Sequence, residues 1–341
     1  MTNTIRGVQV SQADAPLRVV DLPQPRPSSG HVRIAVEACG ICHSDADMVH
    51  GAFGGGSFPL TPGHEIAGRI DELGDDVKGW EPGERVAVGW FGGNDGSCQA
   101  CREGDAIDCV NLQVPGLAYP GGYAESTVVP TSALARIPSQ LTAVEAGPMA
   151  CAGVTVFNAL RRTSAWPGDL VAIIGLGGLG HLAVQFSHKM GFDTAVIDRG
   201  GAKEDIARQL GARHYIDETV HDVAESLKAL GGAKVVLATV PASAVMTSAI
   251  DGLRALGELV VIGVSPDNIE VSPVQLIFGQ KTLHGSASGT SREVEETMEF
   301  AAQSGVRPIT EEAPLEDAQQ AFSKMLAGAT RFRGVLKPAQ S

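Results

Sequence analysis

Gly175-Leu176-Gly177-Gly178-Leu179-Gly180 follows the apolar stretch Leu170–Ile174 and precedes a run with helical periodicity. In this position Gly175 permits a tight turn, Gly177 lets the backbone approach a pyrophosphate, and Gly180 allows a helix to pack closely on a sheet. The start of that helix offers unpaired N–H groups to phosphate oxygens. A glycine pattern alone is weak support in a chain with 42 glycines, so the flanking strand and helix are what predict a dinucleotide site.

The sequence after about residue 150 repeats a strand–helix rhythm. Apolar segments that predict strands begin near Leu170, Thr194, His214, Lys234, Glu258 and Lys281. They follow at intervals of 20 to 24 residues, the length of a strand, a crossover helix and two turns. The first helical segment carries Leu182, Ala183, Phe186 and Met190 on one face. Six such units predict an α/β fold with a doubly wound, six-stranded parallel sheet of the Rossmann type.

The sequence outside this region has a different character. Before residue 150, Gly and Pro interrupt short β-branched runs such as His31–Val36 and Arg85–Val88, which predicts a mainly β domain. After about residue 288 we expect two amphipathic helices, Val294–Gln303 and Leu315–Ala327, and a final strand, Phe332–Leu336. The predicted division is a catalytic domain over 1–152, a dinucleotide-binding domain over 153–287, and a segment 288–341 that returns to the first domain.

Length and composition exclude several classes of protein. The 341 residues, 43% hydrophobic and 19% charged, fit a globular protein of two domains. The net charge of −13 disfavours binding to nucleic acid or to an anionic membrane surface. We find no run of 18 apolar residues and no basic-then-apolar leader, so we expect no membrane partner and a cytoplasmic location.

Asp198 lies 18 residues after Gly180, at the end of the second predicted strand. A carboxylate there can accept hydrogen bonds from a ribose diol and repels a 2′-phosphate, which favours NAD over NADP. Arg199 could instead hold that phosphate, although a solvated side chain is the simpler interpretation of this arginine. Asp198 itself could also be an ordinary turn residue.

The six cysteines predict metal binding rather than disulfides. Three of them lie within twelve residues, and a reducing compartment disfavours a disulfide framework. Cys42, His64 and Cys151 form a suitable ligand set for a catalytic zinc with one open position. Spacing alone does not join Cys42 to Cys151 across a hundred residues.

Several motifs together resemble those of the zinc-dependent medium-chain alcohol dehydrogenases, over nearly the whole chain. Besides the cysteine cluster at 98–109, they are Gly40-Ile-Cys42-His43-Ser44-Asp45, Gly63-His64-Glu65, Cys151-Ala-Gly153, and Gly175 to Gly180 followed by Asp198. The resemblance implies that the first domain is GroES-like and that Cys42, His64 and Cys151 bind the catalytic zinc. It also implies that Glu65 is an occasional ligand and that Asp45 hydrogen-bonds His64 and fixes its tautomer.

A second metal cluster departs from the family pattern. The family has four cysteines that bind a structural zinc, and this chain has Asp95, Cys98, Cys101 and Cys109 at those places. A carboxylate can bind zinc through oxygen, but a thiolate usually binds it more tightly. The alternative is a lobe closed by hydrogen bonds around three reduced thiols. The resemblance makes Cys39 a packing residue.

The resemblance also implies a mechanism, in which zinc stabilises an alkoxide that gives hydride to the nicotinamide. Ser44 resembles the first member of the family's proton relay. Many relatives have a histidine three residues further on, where this chain has Asp47, so the relay either works differently or runs through water. His50 is expected at the surface.

Further site residues follow from the resemblance. His43 and Arg333 would contact the pyrophosphate. Thr155 and Gly263-Val264 would line the nicotinamide, and Lys203 would reach the adenosine ribose. For His43, Lys203 and Arg333 the alternative is an ordinary surface charge. The expected cofactor-binding residues are His43, Thr155, Gly175, Gly177, Gly178, Leu179, Gly180, Asp198, Lys203, Gly263, Val264 and Arg333. Trp90 and Phe53 would line a pocket for an apolar, medium-sized alcohol or aldehyde, although a core role is equally compatible with either.

The leading hypothesis is a zinc-dependent alcohol dehydrogenase or aldehyde reductase that uses NAD. A polyol dehydrogenase is disfavoured because sugar-active relatives often have glutamate in place of Cys151, and an NADP-dependent aldehyde reductase stays open. A non-catalytic binding protein need not retain all three zinc ligands, and a zinc-ribbon nucleic-acid binder conflicts with the net charge. We expect a homo-oligomer, a dimer or tetramer, paired through the edge strand near Lys281–Ser286.

Overall fold

The computed structural model describes residues 4–53 and 57–339, which form two compact units. Unit 1 comprises Met1–Val154, Ser288–Gln303 and Arg307–Ser341, and unit 2 comprises Thr155–Ala287 with Ser304–Val306. The sequence placed the boundaries after residues 152 and 287, within two residues of the observed ones, but did not assign 304–306 to the second unit.

The elements are numbered in chain order. The chain up to residue 161 contains β1 (Thr4–Gln9), β2 (Arg18–Pro23), β3 (His31–Ile41), α1 (His43–Val49), β4 (Glu65–Leu73), β5 (Arg85–Val88), α2 (Gln99–Glu103), β6 (Ser126–Pro130), β7 (Ala135–Arg136), α3 (Ala143–Pro148) and α4 (Val154–Arg161). Next come β8 (Leu170–Ile174), α5 (Gly180–Lys189), β9 (Asp193–Asp198), α6 (Glu204–Gln209), β10 (His214–Asp217), α7 (Val223–Ala229), β11 (Ala233–Ala238), α8 (Ser243–Asp251), β12 (Leu253–Val261), α9 (Pro273–Ile277) and β13 (Thr282–Gly285). The last elements are α10 (Ser291–Ser304), β14 (Thr310–Pro314), α11 (Ala318–Leu326) and β15 (Arg333–Lys337).

Unit 1 is built on a mainly antiparallel sheet with the strand order β14-β15-β3-β4-β5-β7, and β6 pairs with β3. The long strand β3 alternates half-buried and buried residues over most of its length, the period of two expected of a strand with one face on a core. Ile34, Ile66 and Ile70 lie in that core with the ring of Tyr123. Because β15 pairs with the end of β3, the C-terminal segment returns to this unit as the sequence predicted.

Unit 2 confirms the predicted doubly wound sheet. Its six strands are all parallel, in the order β10-β9-β8-β11-β12-β13, which is the 3-2-1-4-5-6 order of a dinucleotide-binding fold. Every residue of the central strands β8 and β11 is buried, which explains their continuous apolar sequences. Ligands bind such sheets at the carboxyl ends of the strands, next to the point where the strand order reverses.

Three elements differ from the sequence prediction. β12 begins at Leu253 rather than near Glu258, because Arg254, Ala255 and Leu256 extend the strand with exposed residues that break the apolar pattern. β14 was not predicted, and its acidic edge sequence lacks the alternation that signals a strand. The predicted helix over 315–327 is a 3₁₀ turn, Leu315–Asp317, followed by α11.

One helix among the described residues is long and apolar enough to cross a membrane by length and composition, Ala143–Arg161. It consists of α3, a π-helical turn at Met149–Gly153, and α4. Of its apolar window, 89% is buried inside the protein, as is normal for a core helix. The helix is therefore weak support for a membrane span.

Candidate functional site

Four side chains of unit 1 place their ligand atoms within 4.8 Å of one another: Cys42, His64, Glu65 and Cys151. Cys42 directly precedes α1, and His64 and Glu65 lie at the start of β4. Cys151 lies in the π-helical turn between α3 and α4, a local distortion that is frequent at functional sites. The fold thus brings together two residues, Cys42 and Cys151, that spacing alone could not join.

Asp45 orients His64 and the start of α1 through hydrogen bonds. Its Oδ1 accepts a hydrogen bond from His64 Nδ1 at 2.8 Å, and its Oδ2 accepts one from the backbone N–H of Cys42 at 2.9 Å. Asp45 and His64 are both fully buried. A neutral His64 with its proton on Nδ1 has the lone pair of Nε2 available to a ligand, and Nε2 lies 3.4 Å from Cys151 Sγ. This is the hydrogen bond that the resemblance implied.

The two thiols and His64 perturb one another's pKa values. A hydrogen bond from Cys151, aided by His64, holds the pKa of Cys42 well below its ordinary value. The same hydrogen bond, with burial, raises the pKa of Cys151. Burial lowers the pKa of His64, but the charge and hydrogen bond of Asp45 and the contact with Cys42 together raise it well above its ordinary value. These directions favour a thiolate at Cys42, a thiol at Cys151 and a proton retained on His64.

Glu65 and Arg333 form a buried ion pair beside the ligand cluster. Arg333 Nη2 donates to Glu65 Oε1 and to the carbonyl oxygen of Ile41, the latter at 3.1 Å. Glu65 Oε2 is buried and lacks a hydrogen-bond partner among the described residues. Burial raises the pKa of Glu65 to about 7, against the opposing charge of Arg333. One oxygen of this carboxylate is thus held by the arginine, and the other is buried without a hydrogen-bond partner among the described residues.

Arg333 makes contacts that the sequence did not predict. The guanidinium was expected to contact a pyrophosphate, but its side chain is only 6% exposed and is engaged with Glu65 and Ile41. No sequence pattern indicates this contact, because the two charged residues are 268 positions apart. A pyrophosphate contact of Arg333 stays a prediction.

The donor atoms of the first cluster fit zinc. Two cysteine sulfurs, one imidazole nitrogen and a buried carboxylate oxygen without a partner offer the soft and borderline ligands that zinc prefers. Three protein ligands with an open fourth position are typical of catalytic zinc. Cys42, His64 and Cys151 would hold the ion, and Glu65 would lie next to it.

The remaining predicted residues of this unit lie around α1 and the cluster. Ser44 and Asp47 lie one turn apart on α1, both half-buried, and their relay role stays a prediction. His43 is exposed at the start of the same helix. His50 forms an ion pair with Asp14 at 2.5 Å on the surface, as expected. Cys39, described as a packing residue, is fully buried in the core.

Two aromatic rings line the approach to His64. The ring centroid of Trp90 lies 5.2 Å from that of His64, edge to face. Phe53 contacts Trp90 in the same manner at 5.6 Å and is 45% exposed. A core role is therefore excluded for Phe53. Together the rings place apolar surface next to the ligand cluster, which suits an apolar substrate.

A second cluster in unit 1 consists of Asp95, Cys98, Cys101 and Cys109, whose ligand atoms again lie within 4.8 Å of one another. Asp95 Oδ1 accepts hydrogen bonds from the backbone N–H groups of Ser97 at 2.8 Å and Cys98 at 2.9 Å. These bonds hold the pKa of Asp95 well below its ordinary value.

Other donors point at the remaining atoms of this cluster. Asp95 Oδ2 accepts from Asn111 Nδ2 at 2.7 Å, and Asn94 Nδ2 donates to Cys101 Sγ at 3.2 Å. Three sulfurs and one carboxylate fit zinc by ligand type and number. N–H groups directed at sulfur also stabilise thiolates, the form that binds a metal.

The glycine-rich turn of unit 2 has the geometry that the sequence predicted for a dinucleotide site. Gly175 has φ +90°, which favours glycine, and a Cβ at Gly180 would stand 1.8 Å from the carbonyl oxygen of Gly175. A Cβ at Gly177 would meet no atom within 4 Å. Gly180 is therefore required by the fold itself, whereas Gly177 leaves space for a ligand at the start of α5. Gly178 and Leu179 complete the turn.

Asp198 ties the end of β9 to this turn. Its Oδ2 accepts from the backbone N–H of Leu176 at 2.9 Å and from Lys203 Nζ at 2.8 Å. The two predicted ribose-binding residues thus lie together. Arg199 is 82% exposed and pairs with Glu218 at 3.4 Å, the solvated position that the simpler interpretation expected.

Gly263 and Val264 follow the carboxyl end of β12, and Val264 is exposed. A Cβ at Gly263 would approach the backbone of Val240 to 2.7 Å, so a side chain does not fit there. Thr155 lies near the start of α4, half-buried. Their contacts with a nicotinamide stay predictions.

Comparison with known proteins identifies the family of this chain. Residues 28–139 match the family model of the alcohol dehydrogenase GroES-like domain, and residues 178–303 match that of zinc-binding dehydrogenases. The alcohol dehydrogenase notN of Aspergillus sp. (strain MF297-2) is 41% identical over 98% of both chains. A cinnamyl alcohol dehydrogenase structure from Sorghum bicolor has a TM-score of 0.90 at 28% identity and covers 98% of both chains.

A further solved structure is that of CAD from Helicobacter pylori, complexed with NADP(H). Its TM-score is 0.87 at 25% identity, with 99% of both chains covered. The two family models, the relative at 41% identity and the ligand clusters on the same fold lead to one assignment. The chain belongs to the alcohol dehydrogenases of the zinc-dependent medium-chain dehydrogenase/reductase family.

Proposed function

We propose that this protein interconverts alcohols with aldehydes or ketones and uses zinc and NAD(H). The observation that carries the proposal is the convergence of Cys42, His64 and Cys151, with the free oxygen of Glu65, at one buried point of unit 1. Zinc held there would act as a Lewis acid on the substrate oxygen, and NAD bound at the glycine-rich turn would accept the hydrogen from carbon.

The chain's own residues would orient the metal ligand, bind the substrate and accept its proton. Asp45 keeps the proton of His64 on Nδ1, so that Nε2 is presented as a ligand. The rings of Trp90 and Phe53 exclude water on one side of the cluster and offer an apolar surface to the substrate. Ser44, two residues after Cys42, would take the hydroxyl proton, with Asp47 one turn further along α1.

NAD is the proposed cofactor in preference to NADP. The carboxylate of Asp198 is held at the carboxyl end of β9 by Leu176 N–H and Lys203, where it would meet the ribose of a bound dinucleotide. Arg199, the residue that could hold a 2′-phosphate, is instead directed to Glu218. The Helicobacter pylori structure contains NADP(H), so NADP is the second candidate, and Lys203 is the cation that would favour it.

A structural zinc at the second cluster and a homo-oligomer complete the proposal. Cys98, Cys101 and Cys109 would supply three thiolates, and Asp95 the fourth ligand. For the oligomer, β13 is the edge strand of the parallel sheet. The adjoining α9 segment exposes apolar side chains of Val274, Ile277 and Phe278. An unpaired edge beside an apolar patch favours pairing with a second copy, as a dimer or tetramer in the cytoplasm.

Metal analysis combined with an NADH absorbance assay on ethanol, benzyl alcohol and a polyol tests the function. Cys42→Ala and His64→Ala should each lose the catalytic zinc and the activity and still fold. Cys39→Ala, which removes a neighbouring buried thiol outside the cluster, should keep both. Turnover by a metal-free variant would overturn the zinc role, and a preference for the polyol would replace the proposed substrate class.

A further inference from the structure

Tyr123 is a fully buried residue next to the first cluster and is not among the predicted site residues. Its hydroxyl donates a hydrogen bond to Asp45 Oδ2 at 2.9 Å. Its ring packs on Gly63, because a Cβ at Gly63 would stand 2.4 Å from Tyr123 Cδ1. The same side chain therefore contacts the residue that precedes His64 and the carboxylate that orients His64.

The backbone around Tyr123 holds it in this place. Tyr123 N–H donates to the carbonyl oxygen of Pro62 at 3.0 Å, and Gly122 N–H donates to that of Gly63 at 2.8 Å. These bonds run along the segment that leads into β4, where His64 lies. These backbone hydrogen bonds thus hold Tyr123 in the position from which its hydroxyl reaches Asp45.

The hydrogen bonds of Asp45 are divided between its two oxygens. Oδ1 accepts only the His64 bond among those described, and Oδ2 accepts both the Cys42 N–H and the Tyr123 hydroxyl. The carboxylate is fully buried, so bulk water does not replace a lost donor. Loss of the tyrosine hydroxyl would leave Oδ2 with one donor, and the carboxylate would turn to recover the second. That turn would move Oδ1 away from His64 Nδ1.

We propose that Tyr123 is a positioning residue that acts through Asp45 to aim His64 Nε2 at the metal. The geometry that carries this is the continuous series Tyr123 Oη, Asp45 carboxylate, His64 imidazole, with every member fully buried. The inference rests on the proposed zinc site. The Tyr123 hydroxyl would therefore contribute to metal affinity, and the packing of the Tyr123 ring would not.

The test is a chelator competition that measures zinc affinity in the wild-type protein and in Tyr123→Phe, which keeps the ring on Gly63. Hydrogen-bonding partners of metal ligands contribute about 10–100-fold to metal affinity, and a partner one step further out is expected at about the lower end, tenfold. Tyr119→Phe is the matched control. Tyr119 is half-buried, and its hydroxyl donates to the carbonyl oxygen of Gly92 at 2.7 Å rather than to Asp45, so zinc affinity should not change.

A spectroscopic readout separates positioning from packing. Cobalt(II) bound in place of zinc should show shifted absorption bands in Tyr123→Phe, because its imidazole ligand is reoriented. A purely structural role would lower the unfolding temperature and leave both the spectrum and the metal affinity unchanged. In an Asp45→Asn background, Tyr123→Phe should have no further effect on affinity, and an undiminished effect there would overturn the route through Asp45.

The two proposals fail in different ways. A wild-type protein without zinc at the first cluster would refute the proposed function, whereas equal zinc affinity in wild type and Tyr123→Phe would refute only the role of Tyr123. Should Tyr123→Phe not fold, 3-fluorotyrosine at this single position, in a Tyr119→Phe, Tyr215→Phe background, provides a second test. Its ¹⁹F resonance should shift when zinc binds, and an unchanged resonance would overturn the inference.

Discussion

A methyl group added at Gly40 would stand 1.9 Å from Glu65 Oε2. The two residues are direct partners in the antiparallel pairing of β3 with β4. The buried carboxylate of Glu65 therefore occupies the space that any side chain at position 40 would need. This contact explains why the motif that begins at Gly40 and the motif that ends at Glu65 depend on each other.

Gly40→Ala should destabilise the protein, because the added methyl group displaces Glu65 and strains its ion pair with Arg333. Overpacking of a tight site costs about 1–3 kcal/mol, and we expect a loss in the upper half of that range. Denaturant unfolding of the metal-free protein measures it. Gly201→Ala, where a Cβ meets open space, should change the free energy of unfolding by far less. Equal effects of the two substitutions would contradict the steric argument.

The glycine-rich turn yields a prediction that separates folding from binding. Gly180→Ala should lower the free energy of unfolding by about 1–3 kcal/mol, since its Cβ would collide with the carbonyl oxygen of Gly175. Gly177→Ala should leave stability unchanged, because that position is open in the protein itself. It should nevertheless weaken NADH binding at least about tenfold, or 1.4 kcal/mol, since the methyl group occupies the space of the pyrophosphate.

Fluorescence titration with NADH and thermal unfolding of both variants check this separation. Undiminished NADH affinity in Gly177→Ala would mean that the dinucleotide does not approach the backbone at this turn. A stable Gly180→Ala variant would mean that the start of α5 moves to accommodate the methyl group. Either result would be visible without any assay of turnover.

The sequence predicted the elements of the site better than the contacts that hold them. The parallel sheet and its glycine turn follow from local periodicity, so they could be anticipated from segments of about twenty residues. The ion pair of Glu65 with Arg333 joins two strands from opposite ends of the chain, and nothing local to either residue indicates it. Tyr123 was missed for the same reason, since a tyrosine in a glycine-rich segment predicts only burial or a turn.

Sequence motifs predict the metal ligands but not all of the contacts around them. Cys42 and Cys151 could be paired only through the family resemblance, because the π-helical turn that presents Cys151 has no sequence signature of its own. The three cysteines of the second cluster could be anticipated from their spacing and Asp95 from the family resemblance, yet the hydrogen bonds to Asp95 could not. Those bonds depend on the fold of the loop from Asn94 to Asn111 rather than on the ligand spacing.

Asp198→Asn should change cofactor preference. Removing the negative charge takes away a strong hydrogen-bond acceptor for a ribose diol and relieves repulsion of a 2′-phosphate. We expect NAD affinity to fall about tenfold, equivalent to 1.4 kcal/mol, and NADP affinity to fall less or to rise. Isothermal titration with both cofactors measures the ratio.

Asp198 also accepts the N–H groups of Leu176 and Arg199, so its substitution could disturb the turn as a whole. A disturbed turn would weaken NAD and NADP equally, and that outcome would reject the ribose assignment. Asp217→Asn is the matched control for disturbance of the loop, because Asp217 is the neighbour of Asp198 in the β10–β9 pairing and accepts the N–H groups of Thr219 and Gly200. It should leave the ratio of the two affinities unchanged.

The second cluster, in the lobe around Asp95, should bind zinc less tightly than the first cluster does. Two N–H groups occupy the lone pairs of Asp95 Oδ1 and Asn111 occupies one of Oδ2, so little donor capacity is left for a metal. Asp95 is exposed, whereas the ligands of the first cluster are buried or half-buried. Freshly purified protein should contain two zincs per chain, and graded dialysis against a chelator should remove the lobe zinc first.

Asp95→Cys should reverse this order, because a fourth thiolate binds zinc more strongly than a carboxylate that is already hydrogen-bonded. We expect the lobe zinc to be retained at chelator concentrations at least about tenfold higher, in line with the effect of ligand-shell changes on metal affinity. Asp108→Asn, which changes an exposed carboxylate of the same lobe outside the cluster, should behave like wild type.

Elemental analysis after each dialysis step counts the metal. One zinc per chain in fully active wild-type protein, rising to two in Asp95→Cys, would show that Asp95 does not complete the site. Loss of the lobe zinc at the same chelator concentration in both proteins would contradict the hydrogen-bond argument.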